Sequence, residues 1–164
     1  MKHSYDTFET PLGTFSVAVD ATGQVVASSF GGAEELCTRF GVATLARDPG
    51  ALASVRRETA EYFEKKRQEF SLRLAPHGTL FQKCVWAGLQ RIPFGETRSY
   101  GQLAADLGLG RASRAVGRAN AANPVCLYIP CHRVIGADGS LTGYAFGEEL
   151  KRRLLEHEGA LLAA

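Results

Sequence analysis

The sequence predicts an α/β protein in two parts, an N-terminal α/β domain over residues 1–75 and a mainly helical C-terminal domain over residues 76–164. Three observations carry this prediction. Strand-like alternation of apolar residues is confined to the first part, helical spacing of apolar residues dominates after Thr79, and Pro76-His77-Gly78 breaks the chain between them. With 164 residues, 45% hydrophobic and 22% charged, the chain suits one globular domain or two small ones sharing a core. It is too apolar and too weakly charged to be disordered.

In the first part, Thr14 to Val19 alternates with period two and places Phe15, Val17 and Val19 on one face. Asp20-Ala21-Thr22-Gly23 reads as a turn, Gln24 to Phe30 as the returning strand, and Gly31-Gly32 closes the hairpin. Residues 33–40 suit a short helix. Asp48-Pro49 is an N-cap and first-turn pair for a helix running to about Arg67, with Leu52, Val55, Thr59, Tyr62 and Phe63 inward. Phe70, Leu72 and Leu74 alternate as a further strand.

The second part opens on a capping box, Thr79 with Gln82, followed by an apolar stripe of Leu80, Phe81, Cys84, Val85 and Leu89. On that stripe Cys84 reads as a small core residue and Trp86 as packing. Ser99 and Gln102 form a second capping box ahead of Leu103, Ala104 and Leu107. After Gly108-Leu109-Gly110 a second helix fits Arg111 to Asn120, and the pair matches a helix-turn-helix. One face of it carries Ala112, Ala115, Val116 and Ala119, and the opposite face carries Arg111, Arg114 and Arg118. Glu148 to Glu158 forms the last helix, with Leu150, Leu154 and Leu155 inward and Gly159 at its end.

Net charge is only +2, but it is unevenly spread. Residues 1–75 hold nine Lys and Arg against ten Asp and Glu, and residues 76–164 hold ten against seven. Five arginines and two acids lie between Arg91 and Arg118. Such a balance excludes nonspecific coating of nucleic acid and leaves room for a small footprint. The three arginines of the second helix form either a solvated face or a phosphate contact. The absence of acids beside them and the small residues around Gly117 favour the phosphate. No run of apolar residues is long enough to span a membrane, and no apolar stretch follows Lys2, so an intracellular, cytoplasmic protein is expected.

The cysteines at 37, 84, 126 and 131 form no CxxC pair, and the four histidines do not fall at zinc-like spacing with them, so no metal site is expected. Pro130 keeps Ile129 out of the helical region, so Cys131 is presented from extended or turn backbone, directly before His132. Adjacent side chains on extended chain point apart. His132 can then act on Cys131 only through a kink or a bridging water; otherwise the pair is a buried structural Cys beside a structural His. Glu158 lies at a helix C-terminus, where a carboxylate costs roughly 0.3–1 kcal/mol. One compensating role is to hold a histidine in the tautomer that takes a proton from a thiol. A thiol hydrolase built on Cys131, His132 and Glu158 is a competing reading, but no oxyanion donors stand out.

Residues 81–160 resemble the methylated-DNA–protein-cysteine methyltransferases, the O6-alkylguanine-DNA alkyltransferases. The resemblance rests on Phe94-Gly95-Glu96-Thr97-Arg98-Ser99-Tyr100-Gly101-Gln102-Leu103-Ala104, Ser113-Arg114-Ala115-Val116-Gly117, Asn123-Pro124, Ile129-Pro130-Cys131-His132-Arg133-Val134-Ile135, Leu141-Thr142-Gly143-Tyr144, and Leu154-Leu155-Glu156-His157-Glu158-Gly159. Residues before this match only loosely, through Thr10-Pro11-Leu12-Gly13. The resemblance implies a ribonuclease-H-like N-terminal part and a helix-turn-helix that binds double-stranded DNA from the minor groove. It also implies flipping of the alkylated guanine into a pocket and a single, irreversible transfer of the alkyl group to Cys131.

The same resemblance implies roles for single residues. Arg114 fills the vacated stack, with Arg111, Arg118 and Ala115 beside it on the DNA. Tyr100 turns the nucleotide and hydrogen-bonds the guanine, and Asn123 braces the turn before the nucleophile. His132, through a water, and Glu158 activate Cys131. Backbone groups at Cys131, Val134 and Ala145 read the base, and Tyr144 lines the pocket. The implied protein is a monomer that needs no cofactor. Ala145 replaces the Ser of some relatives, and Phe146 stands where many have Gly, which narrows the pocket against benzyl groups. No ligands for the structural zinc of some relatives are found. The alternative to a transferase is an alkylated-DNA binding or damage-sensing protein, a class that lacks the cysteine.

Overall fold

The computed structural model describes residues 2–161, and two compact units divide them. The first comprises Met1–His77 with Pro124–Tyr128, and the second Gly78–Asn123 with Ile129–Ala164. The architecture is mixed α/β, as the sequence predicts.

In the first unit a four-stranded sheet has the order β3-β2-β1-β4, formed by β1 (His3–Thr10), β2 (Gly13–Asp20), β3 (Val25–Phe30) and β4 (Ala46–Arg47). The first three strands pair antiparallel and β4 runs parallel to β1. Asp20 Oδ1 accepts from the Thr22 and Gln24 amides and so shapes the predicted turn between β2 and β3. Strand β1 escapes a sequence reading because Ser4 and Asp6 occupy its buried positions. Phe15, Ser16, Val17, Ala18 and Val19 of β2 are all buried, so both faces of that strand are covered, not only the face of Phe15, Val17 and Val19.

Helix α1 (Ala33–Phe40) spans the predicted residues. The segment after Asp48 begins as a 3-10 turn, Pro49–Leu52, and continues as α2 (Ala53–Phe63). It stops short of Arg67, with Lys65 at φ 62°, so Phe63 lies at the end of the helix and not inside it. The predicted strand at Phe70–Leu74 is also absent. The backbone there makes one parallel bridge, Val25 with Leu74, and its alternating apolar residues are only half-buried. Segment 124–128 joins this unit through the Ser28 amide, which donates to the Pro124 carbonyl at 2.9 Å, and through Tyr128, whose hydroxyl lies 2.7 Å from Thr59 Oγ1.

The second unit holds α3 (Leu80–Leu89), β5 (Arg98–Ser99), α4 (Tyr100–Asp106), α5 (Ser113–Ala121), a 3-10 turn at Cys131–Arg133, β6 (Val134–Ile135) and α6 (Glu148–His157). Both predicted capping boxes form: Thr79 Oγ1 accepts from the Gln82 amide at 3.1 Å and Ser99 Oγ from the Gln102 amide at 3.0 Å. The inward stripe of α3 is Val85, Trp86, Gly88 and Leu89. Leu80 is 89% exposed, and Phe81 and Cys84 are exposed too, so the expected core role of Cys84 is overturned. The reason is a stripe read one position early at the helix start, where a first turn can project beyond its packing partner. Trp86 is packing, as expected, and its indole donates to the Ala119 carbonyl at 2.8 Å. On α6 the fully buried residues are Lys151, Leu154 and Leu155, while Leu150 is only half-buried. Among the described residues no helix is long and apolar enough to cross a membrane.

Candidate active site

The site grows from the short parallel pair β5–β6, in which Arg98 faces Val134 and Ser99 faces Ile135. Tyr100, the first residue of α4, follows β5 directly, and Cys131 to Arg133 precede β6 directly. The pairing therefore sets the start of α4 beside the turn that carries Cys131. Asn123 closes that turn from behind: its Nδ2 donates to the Ile129 carbonyl at 2.9 Å. The Asn120 side chain reaches the Cys131 carbonyl at 3.4 Å.

Cys131 and His132 stand on a 3-10 turn, with the Cys131 amide bonded to Ile129 O at 2.8 Å. Both are buried, as is Glu158. The structure brings His132 and Glu158 together, with Nε2 and Oε2 2.9 Å apart. Arg133 then clamps the same carboxylate from two sides, Nε to Oε1 at 2.8 Å and Nη2 to Oε2 at 2.9 Å, while its Nη1 donates to the Ile92 carbonyl at 2.7 Å. Burial works against the charge of Glu158, but His132 and Arg133 outweigh it and hold the carboxyl well below the usual carboxylate range. An ionised Glu158 can only accept at this contact, so the His132 nitrogen facing it, Nε2, carries a proton. In the neutral tautomer Nδ1 is the acceptor, and it is a buried atom with no hydrogen-bond partner among the described residues. An imidazole so oriented can take a thiol proton, directly or through one water.

Tyr100 is half-buried, and its hydroxyl donates to the Thr142 carbonyl at 3.2 Å. Burial and then the Cys131 charge raise its phenol above the ordinary value, while Asn120 pulls it back. Close approach at Gly143 is obligatory: its φ is +85°, and a Cβ there would lie 2.6 Å from the Tyr100 hydroxyl. Tyr100, Gly143, Thr142, Arg114, Gly117 and Arg118 border an open cavity of about 570 Å³. Helix α5 begins at Ser113, two residues later than the expected start at Arg111, so Arg114 and Arg118 are exposed on the helix and Arg111 on the turn before it; none has a carboxylate in ion-pair distance among the described residues, and Ala115 is half-buried beside them.

Of the expected pocket residues, Val134 is fully buried, Tyr144 is buried with its ring 5.5 Å from that of Phe146, and Ala145 is exposed. Among these only Tyr100 borders the open cavity. Cys126 is buried in the first unit, where Ser28 Oγ donates to its carbonyl at 2.7 Å. Sequence reasoning missed Arg133 and Lys151 as site residues. A signal for Lys151 existed: it shares a helical face with Leu154, Leu155 and Glu158, three, four and seven residues on.

A buried thiol beside a carboxylate-oriented histidine, with an acid-free arginine face in the same unit, has the chemistry of a cysteine-nucleophile protein suited to a polyanionic partner. Comparison with known proteins agrees. The family model "6-O-methylguanine DNA methyltransferase, DNA binding domain" matches residues 80–160. A methylated-DNA–protein-cysteine methyltransferase of Methanosarcina acetivorans is 41% identical over 95% of this chain and 98% of its own length. One of Mycobacterium tuberculosis is 50% identical over 68% of this chain and 67% of its own. The crystal structure of Mycobacterium tuberculosis OGT in complex with DNA has a TM-score of 0.85 at 38% identity, covering 96% of this chain and 93% of that one. This chain belongs to the methylated-DNA–protein-cysteine methyltransferase family.

Proposed function

We propose that the protein repairs DNA by taking the alkyl group of O6-alkylguanine onto Cys131, once and irreversibly. The observation that carries this is the Glu158–His132 pair at 2.9 Å, with the free imidazole nitrogen available to the neighbouring thiol. Family membership supplies the substrate class, and the relative solved with DNA supports a DNA partner. The thiol gives its proton to His132 through water. The sulfur then attacks the alkyl carbon, and the bond to O6 breaks with its electrons going to the guanine. The product is a thioether, whose carbon–sulfur bonds neither water nor another thiol cleaves, so the protein acts once, and the step uses no cofactor.

In this reading α4 and α5 are a helix-turn-helix that meets double-stranded DNA in the minor groove, with the Arg111, Arg114, Ala115 and Arg118 segment against it. Arg114 replaces the flipped base, Tyr100 turns the nucleotide, and Asn123 holds the 124–128 excursion closed before the nucleophile. Val134, Tyr144, Ala145 and Phe146 shape the base pocket. The ribonuclease-H-like N-terminal domain, residues 1–75, is scaffolding for the domain at 76–164, and the protein is a cytoplasmic monomer. Intact-mass measurement after incubation with a duplex carrying O6-methylguanine tests the function: one methyl is gained, on Cys131. Binding without mass gain identifies a damage-sensing protein instead.

Two variants probe the DNA and pocket roles. Arg114→Ala should slow repair in duplex by about tenfold or more, because nothing then offsets the unstacking of the flipped base, while reaction with free O6-methylguanine is unchanged. Phe146→Gly should raise the benzyl-to-methyl rate ratio by about tenfold in a competition assay, since removal of the ring opens space. A ratio equal to that of the original chain removes the pocket-narrowing argument.

A further inference from the structure

Arg133 is buried at the site, and the transfer chemistry does not use it. A guanidinium taken from water is costly unless paired. Two of its nitrogens take the Glu158 carboxylate side-on, Nε to Oε1 at 2.8 Å and Nη2 to Oε2 at 2.9 Å, and Nη1 is fixed on the Ile92 carbonyl at 2.7 Å. The guanidinium carbon also stands 5.9 Å from the centroid of the Phe94 ring. His132 Nε2 reaches the same Oε2 at 2.9 Å. One carboxylate oxygen therefore serves both a permanent cation and an imidazole that can become one. No other carboxylate lies in ion-pair distance of Arg133 or His132 among the described residues.

Two cationic groups on one negative charge decide the state of His132. Arg133 alone neutralises Glu158. A second proton on His132 would put an uncompensated positive charge in the interior, on the same oxygen as the guanidinium, and both burial and the like charge oppose it. The elements packed on the 131–133 turn do not offset this. Helix α3 brings Lys83 and Cys84, both exposed, and α6 brings Lys151, itself a cation on the Thr142 carbonyl, with Glu156 and His157 half-buried. We propose that Arg133 is a positioning residue that keeps His132 uncharged at rest, by taking the carboxylate that would otherwise hold an imidazolium, so that His132 passes the thiol proton on instead of keeping it. The proposal deepens the transferase reading and rests on it. The thiol proton moves through water to Nδ1 of His132. The sulfur bonds the alkyl carbon as the carbon–O6 bond breaks, and that electron pair stays on the guanine. The guanine anion takes a proton from water and the imidazolium returns one to water, so His132 ends neutral, as it began.

The test reads the charge of His132 in the DNA-free chain at pH 7, from proton–nitrogen correlation spectra of isotope-labelled histidine rings. In a neutral ring the two nitrogens resonate far apart, and in an imidazolium close together. The His132 signals are assigned by their loss in His132→Asn. The original chain should show a neutral ring with its proton on Nε2, and Arg133→Met an imidazolium. Arg133→Lys, which keeps the charge, should return the ring to neutral. A neutral ring in Arg133→Met, or an imidazolium in the original chain, overturns the proposal. The spectra need no DNA, so failure of methyl transfer from O6-methylguanine, with the imidazolium present in Arg133→Met, would refute the repair reading alone.

Further variants cover loss of folding and a merely structural role. Arg133→Gln keeps a donor for the carboxylate and is read in the same way where Arg133→Met does not fold. Arg133→Met combined with Glu158→Gln removes the pair together, which costs less than breaking it, and His132 should be neutral again. An imidazolium in that double variant overturns the proposal, because the charge would not come from Glu158. In Arg133→Gln methyl transfer should be about tenfold slower at pH 7 and should recover over about one pH unit above it, as the base loses its extra proton. A deficit that rising pH does not relieve marks a structural role and overturns the proposal as well.

Discussion

Cys131→Ala should gain no mass from O6-methylguanine DNA, while its dissociation constant for the same duplex stays within about twofold of the original. The two functions separate because they sit on different groups. Transfer requires a thiolate within reach of a base, and a thiol of ordinary pKa is only a few per cent ionised at pH 7. Among the four cysteines, Cys84 is exposed on α3, Cys37 and Cys126 belong to the first unit, and only Cys131 adjoins the Glu158–His132 pair. Binding, in the proposed reading, depends instead on the exposed arginines of α5 and the cavity bordered by Tyr100, none of which the substitution replaces. Mass gain in Cys131→Ala would mean that another residue is the nucleophile. A large loss of affinity would mean that the sulfur itself holds the base.

Glu158→Gln is expected to have the second largest effect, on two observables at once. The amide keeps the shape but loses the charge that fixes the His132 tautomer, so transfer should slow by about 100-fold, within the range attributed to a positioned acid–base group. Arg133 would meanwhile keep its buried guanidinium without a counter-charge. Removing one partner of a buried pair costs about 3–5 kcal/mol, so the melting temperature should fall by about 10 °C. The pH dependence has a definite sign. Since the folded-state carboxyl titrates below the usual range, its stabilisation is complete above about pH 4.3 and is lost as pH falls further. The original chain should therefore lose stability in acid more steeply than Glu158→Gln. A variant that transfers at the original rate would show that the carboxylate only supports Arg133.

Local signals were legible where one element decides its own structure. The capping residues Thr79 and Ser99, the turn at Asp20 and the Arg114–Arg118 part of the arginine face are set by neighbours within a few positions, and the structure keeps them, while Arg111 falls on the turn before α5. Signals failed where a partner element decides. Phe70 to Leu74 alternates like a strand but finds only one backbone bridge. Leu80 and Phe81 look like core because their spacing is helical, yet they are exposed, while polar Ser4 and Asp6 are buried.

The candidate site divides in the same way. The string around Cys131, the misplaced-looking Glu158 and the acid-free arginines are properties of the chain itself, because each is a departure from what a local element prefers. That His132 meets Glu158, that Arg133 rather than solvent neutralises this carboxylate, and that Lys151 is buried beside Tyr100 were decided by tertiary structure. So was the inclusion of residues 124–128 in the first unit. The physical reason is that side-chain charge and chemistry are written in the residue. Desolvation and pairing depend on which surfaces meet, and the β5–β6 pairing and the packing of α6 on the 131–133 turn bring together groups as far apart in the chain as Tyr100 and Lys151.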